Sequence, residues 1–181
     1  VTVTVLVPCE PVAPDFGVCQ GTALDDDLFV LNGAVCYNGD GVASFGLDYS
    51  NVNTNVPGQY QYMVTCMGPC VSEPAVGTVT VYPLPTASFT VTPDNGNATL
   101  AVTFDDNSSV PAGGTIVLWE WNLDGDPDIE RTDTSAPAPF QRSYGSAGTY
   151  TVRLTVTTDH GCTDTTARTI TVRTRTTTGG G

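Results

Sequence analysis

Gly148-Thr149-Tyr150-Thr151-Val152-Arg153-Leu154-Thr155-Val156 alternates large apolar side chains with threonine and arginine. A period of two puts Tyr150, Val152, Leu154 and Val156 on one face of an extended strand, with the other face left to water. Upstream, Val117-Leu118-Trp119-Glu120-Trp121-Asn122-Leu123 has the same period. Val117, Trp119, Trp121 and Leu123 then share a face, and two indoles demand a deep apolar layer. The expected arrangement is a sandwich in which the Tyr150 row faces the tryptophan row across a core.

The pattern extends outward from these two strands. In the second half of the chain, strands are expected near residues 87–91, 99–104, 117–123, 150–157 and 166–172. In the first half they are expected near 21–31, 33–37, 42–47, 59–66 and 75–81. Gly, Pro, Asn and Asp separate them, the punctuation of turns. Charged residues make up only 14% and aromatic residues 8% of the chain, and Thr, Val and Gly dominate. That is a strand-and-turn composition, and no helix is expected. Short strands at regular spacing indicate sandwiches, and 181 residues hold two of ordinary size.

An alternating Thr/Val segment recurs as Val1-Thr2-Val3-Thr4-Val5, Thr78-Val79-Thr80-Val81 and Thr169-Ile170-Thr171-Val172. Each reads as the closing strand of a module. The expected layout is therefore a surplus strand over residues 1–7, a disulfide-containing domain over 8–83, a second domain over 84–173 and a linker or tail over 174–181. Pro83-Leu84-Pro85 forms the hinge, which prolines stiffen. The surplus strand belongs either to a preceding module or to a neighbouring subunit, because an unpaired flat strand invites aggregation.

The formal net charge is −13, and all six cations are arginines in the second half; lysine is absent. A surface this acidic repels phosphate backbones and anionic headgroups, so nucleic acid is not an expected partner. Lysine-dependent chemistry, including Schiff bases and P-loops, is excluded. No apolar run approaches the roughly 18 residues needed to span a bilayer, and membrane insertion is not expected. Six cysteines beside a single histidine point to disulfides in an oxidising compartment, hence to an extracellular or cell-surface setting.

Ala87-Ser88-Phe89-Thr90-Val91-Thr92-Pro93 is followed by Val102-Thr103-Phe104 with Asn107-Ser108-Ser109, by Trp119-Glu120-Trp121-Asn122-Leu123-Asp124-Gly125-Asp126, and by Tyr144 with residues 148–156. On these residues the stretch 84–173 resembles a PKD domain, the Trp119–Asp126 run standing in place of the family's W-D-F-G-D-G signature. Trp119, Trp121 and Tyr150 are the signature's core residues. Asn122 departs from the aspartate the family prefers there. Residues 8–83 are similar to the cysteine-containing immunoglobulin-like modules that accompany PKD domains in bacterial surface proteins, on the strength of Val18-Cys19-Gln20-Gly21, Pro57-Gly58-Gln59-Tyr60 and the alternation through Cys66. That resemblance implies a Cys19–Cys66 bridge, with Cys9 and Cys70 as a second pair and Cys36 and Cys162 unassigned; spacing alone leaves the connectivity open. The fold class expected overall is all-β, two tandem antiparallel β-sandwiches.

Asn122, Asp124, Asp126 and Asp128 alternate oxygen-bearing side chains at the end of a strand. Such alternation suits a hard cation, and Ca²⁺ is the candidate ligand; the competing reading is a solvated acidic turn. No other cofactor is expected. Asp25-Asp26-Asp27 reads as an acidic turn entering a strand. His160 lies in a hairpin turn without an oxyanion-hole loop or nucleophile elbow, so catalysis is not expected. Cys66-x-x-x-Cys70 has a zinc-like spacing that disulfides explain better. Asn97-Ala98-Thr99 and Asn107-Ser108-Ser109 fit the N-glycosylation sequon. The functional expectation is a non-catalytic spacer in an adhesive surface protein, with neighbouring modules or identical subunits as end-to-end partners. The alternatives are a filament subunit joined by β-strand addition and a module that itself binds carbohydrate or protein.

Overall fold

The computed structural model describes residues 8–37, 42–67 and 72–175. The expected strand over residues 1–7, Cys70 and the last part of the tail lie outside them. The chain divides into two compact units, Val1–Pro83 and Leu84–Gly181, and nearly all regular structure in both is β.

The first unit contains β1 (Glu10–Val12), β2 (Phe16–Cys19), α1 (Asp26–Leu31), β3 (Val35–Tyr37), β4 (Phe45–Asp48), β5 (Gly58–Cys66) and β6 (Ala75–Tyr82). One sheet has the order β2-β6-β5-β4, with β2 parallel to β6, and β1 pairs with β3 in a separate ribbon. Alternation along β5 sends Tyr62 and Val64 inward, and along β6 Val79 and Val81 do the same. Opposite Tyr62 stands Gly77. A Cβ there would lie 2.5 Å from the Tyr62 ring and 2.6 Å from the Ala13 carbonyl oxygen, so only glycine admits the ring. The Tyr62 hydroxyl donates to the Pro14 carbonyl oxygen at 2.7 Å, and burial pushes its pKa up to about 12.

Residues 26–31 form a short helix where a strand was expected. Asp25 is its N-cap and accepts from the Leu28 amide at 2.9 Å, while Asp26 and Asp27 occupy the first turn, where carboxylates complement the helix dipole. The acidic triplet is thus a helix start. Of Leu28-Phe29-Val30-Leu31, only Phe29 is fully buried, and Leu31 is 84% exposed. The Phe29 ring stacks on Tyr49 at 4.6 Å and meets Phe16 and Tyr62 at 5.3 and 4.8 Å.

Cys66 is bonded to Cys36, with Cα atoms 5.6 Å apart, and not to Cys19 as the immunoglobulin-like resemblance implied. The reason is topological. Cys19 ends β2 beside Tyr82, the last residue of β6, whereas Cys66 ends β5 beyond the Val64–Ala75 pair, at the start of β6. The two cysteines lie at opposite ends of an eight-residue strand, about 23 Å apart at the usual rise. No cysteine among the described residues is a free thiol.

The second unit contains β7 (Phe89–Thr92), β8 (Asn95–Asn97), β9 (Leu100–Asp106), β10 (Ile116–Asn122), β11 (Arg131–Asp133), β12 (Phe140–Tyr144), β13 (Gly148–Thr158) and β14 (Thr163–Arg173). Two sheets result, β11-β10-β13-β14-β8 and β12-β9-β7. The tryptophan strand and the Tyr150 strand are neighbours in one sheet, Trp119 opposite Val156 and Trp121 opposite Leu154; they do not face each other across the core. The facing layer is supplied by Phe89, Val102, Phe104 and Phe140. Trp121 is fully buried, with ring centroids of Phe89 and Phe140 at 5.2 and 5.1 Å and Phe104 at 6.1 Å. A register shift between Ile116 and Leu118 turns Val117 out of the stripe, and it is 40% exposed.

The two aromatic anchors make independent predictions. Trp121→Ala should destabilise the second unit by about 3–5 kcal/mol, the usual cost of emptying a buried aromatic site. Phe29→Ala should act comparably on the first. Denaturant unfolding followed unit by unit, for example by hydrogen exchange, should show each loss confined to its own unit; equal loss in both units from either substitution would contradict separate cores.

Candidate functional site

The polar residues of the second unit concentrate where β10 runs into the loop before β11. Asn122 is 7% exposed and holds this loop from inside. Its Nδ2 donates to the carbonyl oxygens of Asp126 and Asp128, the latter at 2.9 Å, and its Oδ1 accepts from the Gly125 amide at 2.8 Å. Gly125 has φ +93°, and a Cβ there would lie 3.3 Å from the Thr151 carbonyl oxygen, so the turn requires glycine. Asp124 Oδ1 accepts from the Asp126 amide at 3.3 Å, and Asp126 Oδ1 from the Asp128 amide at 2.9 Å.

Arg142, reaching over from β12, joins the loop to the second sheet. Its Nη2 donates to Asp124 Oδ2 and its Nη1 to Glu130 Oε1, both at 2.8 Å. Glu130 Oε2 accepts from the Leu123 amide at 2.7 Å, and the Leu123 carbonyl oxygen accepts from the buried Tyr144 hydroxyl at 2.6 Å. Burial, against the opposing influence of Arg142, pushes Tyr144 up to about 12, so the phenol keeps its proton. For Asp124, burial pushes the carboxyl up, but hydrogen bonding with Glu130, the Asp126 amide and Arg142 outweighs it and holds the group below the usual carboxylate range. The same two carboxylates, again against burial, raise Arg142 above its ordinary value.

The four oxygen-bearing residues expected to gather around a cation are divided by the fold. Asp124 and Asp126, together with Glu130, each bring one carboxylate oxygen to within 4.8 Å of the others. The Asn122 side chain serves the loop's own backbone, and Asp128 joins the loop through its main chain, its carbonyl oxygen accepting from Asn122 and its amide donating to Asp126. Asn122 therefore acts as a loop brace, a role that burial dictates and its place in an acidic run disguised. Arg142 and Glu130 are the partners that sequence reasoning did not assign. The alternation in Phe140-Gln141-Arg142-Ser143-Tyr144 was the available signal, since it places Arg142 on a strand.

A second polar brace surrounds Trp119. Its Nε1 donates to Asp106 Oδ2 at 2.9 Å, and Asp106 Oδ1 accepts from the Ser108 hydroxyl at 2.6 Å. Ser108 is further bonded to Ser88. The Trp121 Nε1, by contrast, is buried without a hydrogen-bond partner. Asn97 and Asn107, the sequon asparagines, are both exposed. His160 sits in the β13–β14 turn with Nδ1 2.9 Å from Asp159 Oδ1. Two open clefts of about 370 and 530 Å³ lie on the second and first units; Thr90, Asp94 and Arg168 line one, and Asn51, Gln59 and Gln61 the other. Neither includes His160 or the acidic loop.

The sequence profile of the PKD domain family matches residues 83–173. Among solved structures, the PKD1 domain of Vibrio anguillarum Epp is 32% identical, covers 51% of this chain and 96% of its own, and has a TM-score of 0.40. The PKD1 domain of the Vibrio cholerae metalloprotease PrtV is 35% identical over 49% of this chain and 96% of its own, with a TM-score of 0.38. The fibronectin(III)-like modules of Clostridium thermocellum CbhA cover 92% of this chain and 94% of their own at 18% identity, TM-score 0.47. No curated protein matches the chain.

Arg142→Gln should lower the stability of the second unit by about 1.5–3 kcal/mol at neutral pH, the range for hydrogen bonds to charged groups. Asp124 has a depressed folded-state pKa, so the stability it contributes is present above its unfolded value and is lost as pH falls through the folded one. The difference between wild type and Arg142→Gln should accordingly shrink in acid; a constant difference across the acid range would remove Asp124 from the account. A Ca²⁺ ion drawn to Asp124 and Glu130 would have to displace Arg142 from them. If the cluster is a cation site, added Ca²⁺ raises the melting temperature of Arg142→Gln more than that of the wild type and EDTA abolishes the gain; no shift in either leaves the cluster an ion-paired turn.

Proposed function

Because the chain belongs to the PKD domain family, we propose that it is a non-catalytic structural segment of an extracellular surface protein, a serial spacer that carries other domains. The observation that supports this reading best is how the polar residues of the signature region are used. Asn122, Asp124, Glu130, Arg142 and Tyr144 are bonded to one another or to the backbone of their own loop. Groups committed in this way raise rigidity, which a spacer needs, whereas a catalytic group must remain available to a substrate.

Disulfide bonding is consistent with the same setting. The Cys36–Cys66 bridge closes a loop with a sequence separation of 30. In the chain-entropy model such a loop contributes about 3–4 kcal/mol, which offsets the small core of the first unit. A bridge of this kind persists in an oxidising compartment. Among the described residues, no helix is long and apolar enough to cross a membrane.

Domain replacement tests the reading. Exchanging residues 8–173, within the surface protein that carries them, for two unrelated sandwich domains of matching length should leave the activity of the carried domains intact. Loss of adhesion or activity after that exchange, with normal surface display, would show that the units recognise a target themselves.

A further inference from the structure

Cys9, Cys36 and Cys66 each place a sulfur within 4.8 Å of the other two. Cys36 and Cys66 are bonded to each other, and Cys9 is itself held in a disulfide. Local pairing creates this crowding. Cys9 immediately precedes β1, and β1 pairs with β3 in the register Pro11 opposite Cys36. Cys36 leads in turn to Cys66 at the end of β5. Cys9 and Cys36 are 5% and 0% exposed, whereas Cys66 is half-buried. Disulfides exchange by attack of a thiolate on a bonded sulfur, at rates set by access and by the leaving thiolate. A sulfur already beside the bridge has no encounter to wait for.

We propose that Cys9, Cys36 and Cys66 form a thiol–disulfide exchange centre through which the first unit can relocate its staple. The co-reactant is a low-molecular-weight thiol. Its thiolate attacks the sulfur bonded to Cys9, forms a mixed disulfide with that sulfur, and releases Cys9 as a thiolate. Cys9 then attacks Cys36 Sγ. The Cys9–Cys36 bond forms, the Cys36–Cys66 bond breaks, and the electron pair leaves on Cys66 Sγ, which takes a proton from solvent. Each step conserves the number of disulfides, so no oxidant is consumed. Cys66 is the leaving group because it is the most solvated of the three, and water accommodates the new charge best there. The staple then joins the approach to β1 with β3, and the end of β5 is freed from β3.

The test uses the full oxidised chain. It is treated with about one equivalent of 2-mercaptoethanol, a monothiol suited to single exchange steps, quenched in acid, alkylated and mapped by peptide mass spectrometry without further reduction. The expected product is a Cys9–Cys36-linked peptide accompanied by alkylated Cys66. The Cys9→Ser variant, which retains the Cys36–Cys66 bridge, should label Cys66 at least about tenfold more slowly under the same thiol, because the intramolecular attack is gone. If Cys9 becomes alkylated while Cys36–Cys66 persists as the only linkage among the three, the proposal is overturned. Equal Cys66 labelling rates in wild type and variant would overturn it as well.

Discussion

The burial of Trp121 between two sheets is the constraint from which the rest of the second unit follows. An indole with no exposure needs aromatic neighbours on the opposite layer, and Phe89, Phe104 and Phe140 come from three different strands to supply them. Placing Trp121 in this way fixes the register of β10. The strand must then end at Asn122, whose side chain points inward and organises the acidic loop from below. Tyr144 closes the arrangement by donating to the Leu123 carbonyl oxygen from the facing sheet. The polar loop is thus a consequence of apolar packing.

The first unit solves the same problem with less material. Its core is centred on Phe29 and Tyr62, and a glycine at position 77 provides the space that the tyrosine ring needs. The four strands of its main sheet and a short helix converge on these rings, and its longest antiparallel pairing, β5 with β6, runs seven residue pairs against ten for β13 with β14. A disulfide between β3 and β5 compensates, as small domains with limited buried area commonly require. Cys9 at the same place makes this corner both the covalent anchor of the unit and the point where that anchor could be exchanged.

Charge is used sparingly and locally. In a chain of net charge −13, each arginine is a scarce resource. Arg142 sits between two carboxylates, Arg131 pairs with Asp133 at 2.7 Å while lying 4.0 Å over the Phe140 ring, and Arg168 donates to the Phe89 carbonyl oxygen at 2.8 Å. Two of these contacts link the opposing sheets of the sandwich. Arginine suits such positions because its planar fork satisfies two acceptors while its stem packs on apolar surface. The remaining acidity stays out of both cores, since no Asp or Glu among the described residues is buried.

Much of the second unit was legible in the sequence because its strands are long and strictly alternating. The strands read near residues 99–104, 117–123 and 150–157 on periodicity alone fall on β9, β10 and β13, and the signature around Trp119 and Tyr144 pointed to the family. What the pattern could not express was which strands are neighbours and which face each other. A period of two reports a buried face and carries no information about the partner, so Tyr150 and Trp121 were placed in opposite layers although their strands share a sheet. Residues 26–31 read as strand because the four apolar residues Leu28 to Leu31 fit a strand as well as a helix, and only the structure shows Asp25 capping a helix there. The cysteine pairing was decided by tertiary structure for a related reason. Disulfide formation depends on a separation of a few ångströms in space, and whether Cys66 meets Cys19 or Cys36 is set by β2 lying parallel to β6, a long-range choice that no local spacing encodes.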